Sequence, residues 1–235
     1  VWSTCLGGAL RGYIMAIAQD VAGLVTVTGA TESPTGYFPV TSGAFDTSFN
    51  GGAWESDGFV ARLDSSQSGS AQLLWCTYLG GSESDRPNAI QVEPSGTVVL
   101  TGFTDSRNFP TTPQPYPPPY QSTLNSSRDA FVVRLDSSGS QLLYGTYLGG
   151  SGSDSSAAIE VDPGGVITVA GGTRSTDFPT TPGAYQTSLA GGADAYVARL
   201  DPNQSGAAQL LYATLIGASG NDQDVWGLKV STAGH

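Results

Sequence analysis

The sequence predicts an all-β chain built as a tandem array, and three observations carry that prediction. One phrase occurs four times, as Trp2-Ser-Thr-Cys-Leu-Gly-Gly8, Trp75-Cys-Thr-Tyr-Leu-Gly-Gly81, Tyr144-Gly-Thr-Tyr-Leu-Gly-Gly150 and Tyr212-Ala-Thr-Leu-Ile-Gly-Ala218. Its aliphatic anchors Leu6, Leu79, Leu148 and Ile216 lie 73, 69 and 68 residues apart, a period that marks a repeat architecture. Thirty-two Gly and fourteen Pro among 235 residues, with only 12% charged side chains, suit short strands joined by turns and disfavour helix.

Within each period four short segments recur, most plainly in the second. Strand A is Asn88-Ala-Ile-Gln-Val-Glu93, followed by the turn Pro94-Ser-Gly96 and strand B, Thr97-Val-Val-Leu-Thr-Gly102. A long insertion leads to strand C, Asp129-Ala-Phe-Val-Val-Arg-Leu135, and a Ser/Gly turn to strand D, Gln141-Leu-Leu-Tyr-Gly-Thr-Tyr-Leu148. Each is rich in β-branched and aromatic residues and bounded by Gly, Pro, Asp or Ser. Strand C alternates in every copy: Phe59/Ala61/Leu63, Phe131/Val133/Leu135 and Tyr196/Ala198/Leu200 share one face, with Arg62, Arg134 and Arg199 closing the other. The chain thus reads as strand D, then A-B-C-D three times, then a last A around Asp224 to Ser231. The units are 9–81, 82–150 and 151–218, with partial strands in 1–8 and 219–235.

Four antiparallel strands in series suggest a propeller blade, because one small twisted sheet cannot bury both faces alone and stacks on its neighbours. The expected fold is therefore a partial β-propeller occupying residues 1–235: twelve strands in three complete blades plus flanking strands, with A nearest an axis and D outermost. Its cores are expected to draw on Ile17, Val25, Val27, Phe59, Leu63, Ile90, Val92, Val98, Leu100, Phe131, Val133, Leu135, Ile159, Val161, Ile167, Val169, Tyr196 and Leu200, which occupy recurrent inward-compatible strand positions. The phrases Tyr147-Leu-Gly-Gly-Ser-Gly-Ser-Asp154, Ala158-Ile-Glu-Val-Asp162, Phe178-Pro-Thr-Thr-Pro-Gly-Ala-Tyr-Gln186 and Asp194-Ala-Tyr-Val-Ala-Arg-Leu200 resemble the bacterial seven-bladed β-propeller (SBBP) repeat. The resemblance covers nearly the whole chain. It implies an extracellular or cell-surface bacterial protein, often long and multidomain, without an assigned catalytic activity. The first repeat departs from the pattern, since Arg11-Gly12 stands where the others have Ser84-Asp85 and Ser153-Asp154, as terminal repeats often do.

Charge excludes several partners. The net charge is −11 and eight of the nine basic residues are Arg, so no basic face is expected to neutralise nucleic-acid phosphates or an anionic membrane. No run of roughly 18 apolar residues predicts a membrane insertion. Val1 is not an initiator Met and no leader-like segment precedes it, which fits a mature or excised segment.

Specialisation concentrates in the B–C insertions, about 31–55, 104–128 and 173–193, which carry Phe38-Pro39, Phe109-Pro-Thr-Thr-Pro113 and Phe178-Pro-Thr-Thr-Pro182. Proline fixes extended backbone, so these read as semi-rigid arms pinned to their own blade by Phe and Tyr. The competing reading is a glycan- or protein-binding surface, with Trp54, Tyr116, Tyr120 and Tyr185 offering faces to sugar rings. Asn125-Ser-Ser127 and Asn203-Gln-Ser205 match the glycosylation acceptor pattern. Asp85, Asp154 and Asp222 recur after the Gly-Gly pairs. One carboxylate per turn is too few for calcium, so turn capping is the expectation for them and for Asp57, Asp129 and Asp194. Arg62, Arg134 and Arg199 are expected to pair with one of these two acidic series between blades.

His235 is the only histidine and the last residue, which argues against a Ser-His-Asp triad or a multi-histidine metal site, and the acids recur by period instead of forming one singular pair. No enzyme activity, cofactor or metal is expected. Cys5 and Cys76 lie in successive D strands, beyond bridging distance, so both are expected as free, packed thiols. The functional expectation is a non-enzymatic extracellular structural or interaction protein, part of a bacterial surface protein or appendage and a candidate filament subunit. A carbohydrate-binding adhesin is the alternative. Its partners are expected to be further blades of the same polypeptide or other copies of itself, with glycan as a further candidate.

Overall fold

The computed structural model describes residues 2–52, 55–113 and 115–230. It is all-β. The first sheet runs β1 (Gly12–Gln19), β2 (Val25–Thr31), β3 (Asp57–Leu63), β4 (Leu73–Leu79), and the second β5 (Asp85–Val92), β6 (Val98–Thr104), β7 (Asp129–Leu135), β8 (Leu142–Leu148). The third runs β9 (Asp154–Val161), β10 (Ile167–Thr173), β11 (Ala193–Leu200), β12 (Leu210–Ile216), and a two-residue β13 (Asn221–Asp222) pairs parallel to β11. Apart from β13, the four strands of each sheet follow sequence order and pair antiparallel, the arrangement expected of strands A to D.

Local chemistry explains the repeated detail. The A–B turns close on Gly23, Gly96 and Gly165, each with φ between +84° and +85°, a region that side chains disfavour. Each A strand carries a bulge, at Ile14/Ala16, Pro87/Ala89 and near Ser156/Ala158. Opposite it stand Gly29, Gly102 and Gly171, where a Cβ would overlap the carbonyl oxygens of Tyr13, Arg86 and Ser155. The insertions do pin themselves to their own sheets. The rings of Phe38, Phe109 and Phe178 are buried at 4.8, 4.5 and 4.4 Å from those of Phe59, Phe131 and Tyr196.

Successive sheets pack through the A strands. β5 lies against β1, β2 and β3, and β9 against β5, β6 and β7. Most of the expected core is buried, including Val27, Phe59, Leu63, Val98, Leu100, Phe131, Val133, Leu135, Ile159, Val161, Ile167, Val169, Tyr196 and Leu200. Val25, Ile90 and Val92 are half-buried, and Ile17 is 67% exposed because no sheet lies on its side of β1.

Two expectations are corrected here. Residues 2–8 form no strand, and in the tail only Asn221–Asp222 pairs while 223–230 form none. The reason is that each segment carries the repeat's sequence without a neighbouring strand to receive its N–H and C=O groups. Residues 231–235, with His235, lie outside the described residues. The C-strand arginines bond neither expected acidic series. Arg62 pairs with Asp20, Arg134 with Glu93 and Arg199 with Asp162, all acids of the A–B turn in the same sheet. Asp57, Asp129 and Asp194 sit at the far end of the C strand, about five residues or roughly 17 Å away. Both cysteines are free, but only Cys76 is packed and Cys5 is exposed. Among the described residues no helix is long and apolar enough to cross a membrane.

Candidate functional site

The ladders fix which positions are equivalent. Gly58, Val60 and Arg62 face Leu79, Thr77 and Trp75 across the C–D ladder. In the second sheet Ala130, Val132 and Arg134 face Leu148, Thr146 and Tyr144, and in the third Ala195, Val197 and Arg199 face Ile216, Thr214 and Tyr212. Val60, Trp75 and Leu79 are buried in the core of the second sheet. Ala130, Val132, Tyr144 and Leu148 are buried in that of the third. At the same positions in the third sheet Ala195, Val197, Arg199 and Tyr212 are half-buried and Ile216 is 48% exposed. A face closed twice within the molecule is thus open once.

Polar contacts also cross both junctions, through different groups at each. Arg62 donates to the Gly96 carbonyl at 2.6 Å in the next A–B turn, and Trp75 Nε1 to the Ser137 carbonyl at 3.0 Å in the next C–D turn. At the second junction the Tyr144 hydroxyl donates to Gln209 Oε1 at 2.8 Å, and Gln209 Nε2 to the Pro118 carbonyl at 2.8 Å. Gln91 brackets Val161 across the A strands, accepting from its N–H at 2.6 Å. The insertion aromatics follow suit. Phe45 packs on the second core and Tyr120 on the third, whereas Tyr185, in the matching position, is 82% exposed.

Each junction also closes over a pair of aspartates. Asp57 and Asp85 flank Gly80, and Asp129 and Asp154 flank Gly149; all four are fully buried. A methyl at Gly80 would lie 2.8 Å from Asp85 Oδ2 and 2.9 Å from Asp57 Oδ1, so no side chain fits between them. The turn-capping expectation holds: Asp85, Asp154 and Asp222 accept the amides of Gly81, Gly150 and Ala218 at 2.6–2.8 Å. Asp57, Asp129 and Asp194 likewise accept those of Asn50, Asn125 and Ala190. Among the described residues the other oxygen of Asp57, Asp85, Asp154 and Asp194 has no partner. Burial pushes Asp57 up to about 7, with Asp85 adding repulsion, and Asp85 to about 7 and Asp154 to about 6; Asp129 is also raised by burial. Their complete burial closes the pairs to any substrate, so what they do is structural.

The sequence-derived binding residues do not converge. Trp54 lies outside the described residues. Tyr116 lines a groove of about 330 Å³ with Pro117, Arg134, Leu143, Tyr144 and Asn203. Tyr120 is turned into the third core and Tyr185 projects from the third insertion. Asn125 and Asn203 are both exposed, and the Asn203 side-chain amide donates to Asp201 at 3.0 Å. Sequence reasoning missed Val197, Tyr212 and Ile216 as a surface. The signal was present, because the fourth repeated phrase gives Tyr212 and Ile216 the positions of Tyr144 and Leu148 with no complete repeat after them. A scan against protein-family models finds no match to this chain, and a search of curated proteins finds none either.

Proposed function

We propose that the chain is a non-enzymatic extracellular structural or interaction protein of β-propeller repeats, working as part of a bacterial surface protein or appendage. One observation carries this reading: both internal junctions use the same contact, and the third sheet presents that contact again, uncovered. The convergence of neighbouring sheets at β1, β5 and β9 supports the propeller arrangement, as does the A-to-D order of each sheet. The SBBP-like phrases support the extracellular setting. The partners are further sheets of the same repeat, from the same polypeptide or from other copies, including copies arranged as a filament. Electron microscopy of the native assembly tests this: blades around an axis support it, and sheets stacked without one count against it.

A carbohydrate-binding adhesin is the second reading, favoured by the exposed Tyr185 and by the Tyr116 groove. A glycan array with Tyr116→Ala and Tyr185→Ala separates the two. Binding lost in either variant supports the adhesin, and no binding to any glycan leaves the scaffold ahead.

A further inference from the structure

Resting on the scaffold reading, we propose that the open face of the third sheet receives the first sheet of a second copy of this chain, head to tail. The two free surfaces match position by position. Tyr212 stands where Tyr144 stands, and Gln72 where Gln209 stands, each glutamine directly before its D strand in a turn of the form Gly-x-Ala-Gln. Gln72 also holds the same internal bond, donating to the Gln67 carbonyl at 3.1 Å as Gln209 donates to that of Gln204 at 3.0 Å. Among the described residues nothing donates to Gln72 Oε1, the atom equivalent to the one that accepts the Tyr144 hydroxyl. The second sheet also has a glutamine, Gln141, directly before its D strand, but its Ser-Gly turn is shorter, Gln141 is exposed, and Trp75 bonds the Ser137 carbonyl of that turn instead. A tyrosine on the D strand goes with the longer Gly-x-Ala-Gln turn, and the free tyrosine and the free glutamine of such a turn are on opposite ends of one chain.

The remaining contacts agree. Arg199 repeats Arg62, whose Nη1 bonds the carbonyl of Gly96, and Gly23 of the first sheet repeats Gly96, with φ +84° against +85°. Ile17, 67% exposed on β1, repeats Ile159, which is buried at the second junction. Ile216, Val197 and Tyr185 supply the apolar surface facing it.

Two segments lie in the way, and neither is bound by a ladder. Residues 2–8 cross the Gly69–Gln72 turn of the first sheet, leaving a groove of about 330 Å³ against it, where the partner's β12 would lie. Residues 223–230 lie by β9 and β10 where the partner's β1 would lie, with Lys229 bonded to Glu160 at 2.7 Å. Docking moves both aside. Two copies would place six sheets around one axis, within the usual range of about 4–8.

Sedimentation velocity of the 235-residue chain over a wide concentration range tests the contact. The expected result is concentration-dependent growth from 24.1 kDa to about twice that mass or to longer arrays. Val197→Glu and Ile216→Glu should each weaken association by about a hundredfold, since each buries an unpaired carboxylate. Gln72→Ala should weaken it about tenfold. Removing residues 2–8 should strengthen it, because the partner no longer has to displace them. The substituted positions are at least partly open in the single chain, so unchanged circular dichroism and melting are expected and serve as the folding control. A chain that stays monomeric throughout, or one whose association is untouched by these substitutions, overturns the proposal. Either failure leaves the scaffold reading to the microscopy of the native assembly, which does not depend on this contact.

Discussion

The buried aspartate pairs should make the stability of this protein fall as pH rises through neutrality. Asp57 and Asp85 are raised from 3.8 to about 7 and Asp154 to about 6, in each case chiefly by burial. A raised acid binds its proton more tightly in the folded chain than in the unfolded one. Its contribution is therefore fully present below pH 3.8 and is lost progressively up to its folded value. Three units correspond to an upper bound of about 4 kcal/mol for one group. Relaxation and water entry lower this, so the expected loss for the pairs together is about 2–4 kcal/mol between roughly pH 4.5 and pH 8. Asp64, Asp136, Asp177 and Asp201 are lowered by hydrogen bonds and act in the opposite sense, but only below the ordinary carboxylate range, outside this window. Urea unfolding across the window measures the slope. Asp57→Asn keeps an acceptor for the Asn50 amide while removing the charge, so at about pH 8 it should gain about 1–3 kcal/mol over the parent and near pH 4.5 almost nothing. Stability that is flat or rising with pH in the parent chain would refute the reasoning, as would an Asp57→Asn variant that tracks the parent at every pH.

Other consequences are local. Leu135→Ala, at a fully buried position in the second core, should cost about 2–5 kcal/mol in the same unfolding assay. Arg62→Ala strands the nearly buried Asp20 and should cost about 3–5 kcal/mol, whereas Lys229→Ala at an exposed pair should cost under about 1 kcal/mol. In native thiol titration Cys5 should react promptly and Cys76 only after unfolding, because Cys76 is buried and its thiol is pushed up to about 12.

The sheets were legible because their signals are local. Period-two alternation set strand C, and Gly at the A–B turns set its neighbours. The Phe-Pro phrases placed the insertion anchors, since a ring beside a fixed proline has one apolar surface within reach, its own sheet. The arginine partners were not legible. Alternation shows that Arg62, Arg134 and Arg199 share a face, but not which end of the sheet carries the matching acid, and that is a property of strand length and turn position. Ile17 misled for a related reason: its sequence position is that of Ile159, and only the presence of a neighbouring sheet distinguishes an exposed from a buried isoleucine there.

The same distinction separates Asp222 from its equivalents. It accepts the Ala218 amide at 2.8 Å, as Asp85 and Asp154 accept theirs, yet it is exposed where they are fully buried. The turn bond therefore forms without the junction, and capping alone does not desolvate the carboxylate. What buries Asp85 and Asp154 is the rest of their sheet, β6 to β8 and β10 to β12, closing over the Gly-Gly turn. The pH sensitivity accordingly belongs to the contact between sheets and not to the turns. Asp194 is already fully buried with Asp222 paired beside it, so a partner that completes the third junction should bury Asp222 as Asp85 and Asp154 are buried.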